Sequence, residues 1–245
     1  MKTNFTIAAL FTAAALLMPA HADTLVFTAT TTLPSAGNHS SPLTINLNDG
    51  AGYITAAGYD GMFPTNPSSG TAIAPSSGAT SESLMVQNDR SGTPGLGVNN
   101  TNVGQDNGYI APSDAVVLDF ANVNTTANNG SGTGTENQIT FNLYRDYAGA
   151  DYEVYGLQSG TVNTLSATWA FIQSGKMLDS TPLTVTTSSL YTYYAIGVTD
   201  CALDIQSVGV QYSNPSPTPE PGTFVMAGMM FIGLGVILKK RSRKA

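Results

Sequence analysis

Residues 23–213 of this 245-residue chain predict an all-β fold, an antiparallel β-sandwich of jelly-roll type. Three observations lead there. Apolar residues recur with period two rather than 3.6: in Ile139-Thr140-Phe141-Asn142-Leu143-Tyr144, the residues Ile139, Phe141 and Leu143 share one face while Thr140 and Asn142 take the other. Thr, Ser, Asn and Gly are abundant and Lys and Glu scarce, which suits exposed strands and turns better than helices. No stretch of this region sustains a helical pattern, and its short Thr-, Val-, Tyr- and Ile-rich runs are spaced by Asn, Gly and Ser as in two-sheet domains.

In chain order the candidate strands are Leu25–Thr30, Leu43–Leu47, Val116–Phe120, Ile139–Tyr144, Asp151–Tyr155, Thr168–Phe171, Tyr193–Val198 and Leu203–Val208. Each is a run of β-branched, aromatic or aliphatic residues bounded by turn formers. Three segments predict long loops: Gly58–Ala79, Asn99–Gly108 and Asn122–Asn137. Within the last, Asn128-Asn129-Gly130-Ser131-Gly132-Thr133-Gly134 has too few apolar residues to pack and is expected to be mobile. Residues 214–218, rich in proline, form an extended spacer beyond the domain.

The two ends obey different rules. Pro219-Glu220-Pro221-Gly222 precedes sixteen uncharged residues, Thr223–Leu238, and then Lys239, Lys240, Arg241, Arg243 and Lys244. As a helix, residues 223–238 are about 24 Å long at about 1.5 Å per residue, against a hydrocarbon core of about 30 Å. Snorkelling lysine stems and Pro221-Gly222 close most of the gap, so one transmembrane helix is predicted. The basic cluster keeps residues 239–245 cytoplasmic and sends everything before Pro219 outward. A core helix of a soluble domain does not end in five basic charges within six residues. At the other end, Lys2, the apolar run Phe5–Met18 and Ala20-His21-Ala22 read as a signal helix over residues 1–22, with small residues at the cleavage site and Asp23 as the first mature residue.

A signal peptide, an exported domain, then Pro-Glu-Pro, an apolar span and a basic tail resemble the PEP-CTERM proteins of Gram-negative bacteria. The resemblance covers residues 219–245. It implies export by the secretory translocon and signal peptidase, transient single-pass anchoring in the inner membrane, processing by exosortase near Pro219, Glu220 and Pro221, and delivery to the cell surface or extracellular matrix. Within the domain, Gly95-Leu96-Gly97-Val98, Gly108-Tyr109-Ile110, Val117-Leu118-Asp119-Phe120 and Asp151-Tyr152-Glu153-Val154-Tyr155-Gly156 resemble a pattern of β-rich PEP-CTERM domains. Relatives often carry an acidic residue after the isoleucine, where this chain has Ala111 and Pro112, so the resemblance extends to fold and not to ligand residues.

Charge and cysteine content narrow the function classes. The formal charge of the chain is −7, but five of its nine basic residues sit in the tail and one in the signal. Residues 23–220 hold three basic residues against sixteen acidic ones, a net charge of −13. Such a surface repels phosphate, which argues against a nucleic acid partner, and it keeps a secreted domain soluble. Cys201 is the single cysteine and His39 the single histidine of that region, so no Ser-His-Asp, Cys-His or zinc constellation is present and no catalysis is expected. For Cys201 a small buried role is predicted.

The remaining candidates are binding groups. Tyr144, Tyr147 and Tyr155, with Tyr152, Tyr191, Tyr193 and Tyr194, form an aromatic set. Core packing is the first reading for it and stacking on sugar rings, by Tyr144, Tyr147 and Tyr155, the second. Alternation puts Tyr152 with Val154 inside and Tyr155 with Asp151 and Glu153 outside. Asp146, Asp151, Asp200 and Asp204 are candidate ligands for a structural calcium ion, although their spacing is not that of an EF-hand; no other cofactor is implied. Glu82, Glu136, Glu153 and the aspartates could include a pair about 5–10 Å apart, as glycoside hydrolysis requires, but the sequence does not fix that separation and solvated carboxylates are the first reading. The expected function is therefore that of a non-catalytic surface or matrix protein with a structural or adhesive role tied to exopolysaccharide and biofilm. A carbohydrate-binding module for the cell's own exopolysaccharide is the alternative, and a glycoside hydrolase comes third.

Overall fold

Period-two patterning becomes strand wherever the described chain is regular. The computed structural model describes residues 24–63, 75–88, 92–99, 108–129, 132–144, 150–177, 183–200 and 202–214. Outside them lie the expected signal helix with Ala20, Ala22 and Asp23, residues 215–218 of the spacer, Pro219-Glu220-Pro221, the expected membrane helix and the basic tail, together with Asp146, Tyr147 and Cys201. No helix among the described residues is long and apolar enough to cross a membrane. Leu25–Asn214 fold together as one compact unit.

Fifteen strands run through the described residues: β1 (Thr24–Thr30), β2 (Gly37–His39), β3 (Leu43–Asn46), β4 (Tyr53–Asp60), β5 (Thr80–Glu82), β6 (Leu84–Asn88), β7 (Pro94–Val98), β8 (Ala115–Asp119), β9 (Thr126–Asn128), β10 (Thr133–Tyr144), β11 (Ala150–Ser159), β12 (Thr168–Met177), β13 (Leu183–Thr187), β14 (Tyr193–Asp200) and β15 (Asp204–Asn214). The pairings among β2 to β15 are antiparallel. All eight candidate strands are present. Two of the expected loops contain strand. Residues 58–60 end β4, and Asn122–Asn137 holds β9 and the start of β10, whose Thr133, Gly134 and Thr135 pair with Asn128, Ala127 and Thr126. This corrects the expectation of a mobile segment at both its ends: Gly134 is buried beneath Tyr212, where an added Cβ would stand 2.8 Å from the tyrosine Cβ. Backbone pairing and the neighbouring tyrosine supply what the segment's own side chains lack.

The strands form an eight-stranded sheet, ordered β13-β10-β15-β7-β6-β2 with β1 beside β15 and β9 beside β10, and a seven-stranded sheet, ordered β12-β11-β14-β8-β4-β3 with β5 beside β4. Eight of them pair as nested hairpins: β7 with β15, β8 with β14, β10 with β13 and β11 with β12. Successive nested pairs fall alternately in the eight-stranded and the seven-stranded sheet.

One hydrophobic cluster draws on both sheets. From the eight-stranded sheet come Leu96, Ile139, Phe141, Leu143 and Val208; from the other come Ile54, Val116, Leu118, Val154 and Ile196. The Phe141 and Tyr194 rings meet across it with centroids 5.3 Å apart, and Phe27 stacks on Tyr212 at 4.9 Å. The opposite face of β10 is polar and ordered by side-chain bonds: Asn142 donates to Ser207 Oγ at 2.7 Å and accepts from Thr184 Oγ1 at 2.8 Å.

The seven-stranded sheet is covered on its outer face as well. Ala115, Val117, Tyr155, Leu157, Trp169 and Ala195 form a second cluster there, capped by Met62 and Phe63 from the segment after β4. Gly197 makes the cap possible, because a Cβ at that position would overlap the Phe63 ring. Asn163 ties the covering segments together, accepting from Ala79 N–H at 2.7 Å and donating to Ala79 C=O at 2.8 Å. Its φ of 58° lies in the left-handed region that asparagine tolerates better than most residues.

Candidate functional site

The structure separates the residues that the sequence singled out. Tyr144 and Tyr155 are only 6% and 2% exposed, so neither offers a ring face to a sugar. For Tyr155, alternation gave the side of the strand correctly but not its exposure. It does lie on the outer face, yet that face is roofed: its ring packs between Phe63 and Phe171 at 5.8 and 5.6 Å. Its hydroxyl donates to Glu153 Oε2 at 3.2 Å, so the Glu153 carboxylate is buried with it rather than solvated. Burial, then the Glu153 charge and this hydrogen bond, push the phenol far above its ordinary value.

The aspartates are also dispersed. Asp151 and Asp200 stand opposite each other across β11 and β14, and the Asp151 carboxylate lies 3.7 Å from Lys176 Nζ on the other neighbouring strand. That ion pair is exposed and contributes little to stability. Asp204 belongs to the other sheet, opposite Tyr144 on β10, and is wholly buried over Gly95, where any Cβ would collide with its carboxylate. Among the described residues no group of three or more His, Cys, Asp or Glu side chains stands together as a metal site. Of the three glutamates, Glu82 is in β5 at the edge of β4 and Glu153 is engaged by Tyr155. Glu136 sits half-buried on β10, where burial raises its carboxyl above the usual range.

A different constellation does form a concavity. On the outer face of the seven-stranded sheet, Thr55, Asp119 and Tyr193 are neighbours across β4, β8 and β14, and the next row is Ala57, Val117 and Ala195. Tyr59 stands one step further along β4. The small residues of the second row leave a hollow of about 240 Å³ between the two tyrosines, floored by Ala57 and Val117 and reached by Asp119. Its rim comes from an interruption at the sheet edge: β4 pairs with β3 through Ala56 and with β5 from Gly58 onward. Ser41 fills that gap, its Oγ accepting from Gly58 N–H at 3.2 Å, and Ser81 of β5 completes the wall.

Asp119 Oδ1 accepts from Ala121 N–H at 2.8 Å, which fixes the carboxylate. Tyr59 and Tyr193 are both half-buried, and burial followed by the proximity of Tyr193 holds the Tyr59 phenol protonated above its usual range. The described lining residues offer two phenol rings, one carboxylate and three aliphatic hydroxyls.

The sequence carried part of this. Tyr193 belongs to the aromatic set and Asp119 to a candidate strand, but Tyr59 falls where a loop was expected. The missing signal was the register that sets the three side by side. A scan against protein-family models finds no match for the chain, and a search of curated proteins finds none either.

Proposed function

We propose that this chain is an exported, exosortase-processed protein of the bacterial surface or extracellular matrix, with a non-catalytic, structural or adhesive role linked to exopolysaccharide. The carrying observation is the succession of sequence features at the C-terminus: Pro219-Glu220-Pro221, an uncharged run of sixteen residues and five basic residues, opposite a signal-like N-terminus. The domain between them is read as a jelly-roll β-sandwich. Its nested pairing, from β7 with β15 inward to β11 with β12, supports that reading, as does the cluster shared by both sheets. An acidic β-rich domain without a helix among its described residues suits an exported, soluble role, because its net charge of −13 over residues 23–220 resists self-association.

The test compares cells with and without exosortase. The expected outcome is a released form whose C-terminus lies near Pro219–Pro221 in the first and a membrane-held chain in the second. An identical C-terminus and location in both would refute the proposal. Sugar binding, the second reading, no longer has Tyr144 and Tyr155 to stand on, and depends on other residues.

A further inference from the structure

We infer that the hollow on the outer face of the seven-stranded sheet is a binding site for one neutral hexose unit of a polysaccharide. A pyranose ring has apolar C–H faces and a polar hydroxyl edge, and the hollow is divided in the same way. Val117 and Ala57 form an apolar floor, while the half-buried rings of Tyr59 and Tyr193 provide flat amphipathic walls that bury area at low entropic cost. Asp119 supplies the strong acceptor that vicinal hydroxyls require. Its Oδ1 is held by Ala121 N–H, and no hydrogen bond occupies Oδ2 among the described residues. Ser81 and Thr55 add hydroxyls that both donate and accept.

Size and charge narrow the ligand. At about 240 Å³ the hollow falls just below the roughly 300–1,000 Å³ of drug-sized ligand pockets, which suits a single ring rather than an extended chain. No Lys or Arg is among its described lining residues, and Asp119 there repels an anionic sugar. A uronate or a phosphorylated sugar is therefore disfavoured, and a planar base lacks the adjacent hydroxyl donors that the carboxylate selects. Only the source of the sugar, a polysaccharide outside the cell, rests on the proposed surface role; the geometry does not.

The test titrates the full-length chain, in a detergent without a sugar headgroup, with methyl glycosides of glucose, galactose and mannose and with the methyl glycoside of glucuronic acid. Binding is read by saturation-transfer NMR. The expected result is saturable binding of at least one neutral hexoside with a Kd of about 1–10 mM, as befits one ring in an open site. Asp119→Asn preserves shape and should weaken it about tenfold or more, and Tyr193→Ala should weaken it about fivefold. Phe171→Ala, on the same face but outside the hollow, should leave it unchanged. Absence of saturation for all three neutral hexosides, wild-type affinity in Asp119→Asn, or equally tight glucuronide binding would overturn the assignment. C-terminal processing, measured separately, is expected to be indifferent to all of these variants, so failure here leaves the sorting proposal standing and the reverse also holds.

Discussion

The seven-stranded sheet has two apolar faces that do different things. The inner face meets another sheet, so Ile54, Val116, Leu118, Val154 and Ile196 are closed in by a continuous second layer. Among the described residues, the outer face meets connecting segments, which bury Tyr155, Trp169 and Ala195 but leave Tyr59 and Tyr193 half-buried at the margin of the cluster. A sheet packing on a sheet excludes water along its whole length, whereas a loop covers what it happens to cross. The hollow lies on this face beside the rim at β3 and β5, so the proposed hexose site belongs to the less evenly covered side of the sheet.

Substitutions should grade along this contrast. Phe141→Ala, which empties the inner core, is expected to cost about 3–5 kcal/mol in urea unfolding, because neither sheet can collapse into the space. Phe63→Ala removes a ring just as buried from the outer cap, and should cost only about 2 kcal/mol since the capping segment can settle. Equal costs for the two would break the distinction. Asn163→Ala, which cuts both hydrogen bonds to Ala79, should cost about 1–2 kcal/mol. It should also raise amide exchange in residues 75–79 before any change in the inner strands.

Alkaline pH acts on both faces at once. Tyr155 outside and Tyr194 and Tyr212 inside all have phenols pushed above the ordinary value of 10.0, chiefly by burial. Below pH 10 these groups are protonated in both states and their contribution to stability is complete. Above it the unfolded chain ionises first, so stability falls as pH rises. Each Tyr→Phe change should reduce that slope by about 1 kcal/mol per pH unit, measured as unfolding midpoints between pH 9 and 11. Leu165→Ser, at a side chain 96% exposed, should change stability by less than about 0.5 kcal/mol at any pH.

How much of this was legible depended on what covered each strand. For Ile139–Leu143 of β10, polar and apolar positions alternate, whereas β14 was legible as a run of aromatic and β-branched residues buried on both faces; both candidate strands are correct. In β4, Tyr53-Ile54-Thr55-Ala56-Ala57-Gly58-Tyr59-Asp60, the small residues flatten the contrast on which periodicity relies. β13, Leu183-Thr184-Val185-Thr186-Thr187, alternates plainly and was legible, although it is absent from the candidate strands above. Tyr155 shows the deeper limit, since alternation reports which side of a strand a residue takes and not whether that side is roofed. The roof comes from Met62 and Phe63, distant in sequence, and the hollow likewise needs the register of β4, β8 and β14.

Hydroxyl-radical footprinting of the tyrosine rings tests the two-face account most directly. Tyr59 and Tyr193 should be oxidised readily, while Tyr155 on the outer face should be protected as well as Tyr194 and Tyr212 in the inner core. Oxidation of Tyr155 at the rate of Tyr193, or protection of Tyr59 and Tyr193 to the level of Tyr194, would contradict it.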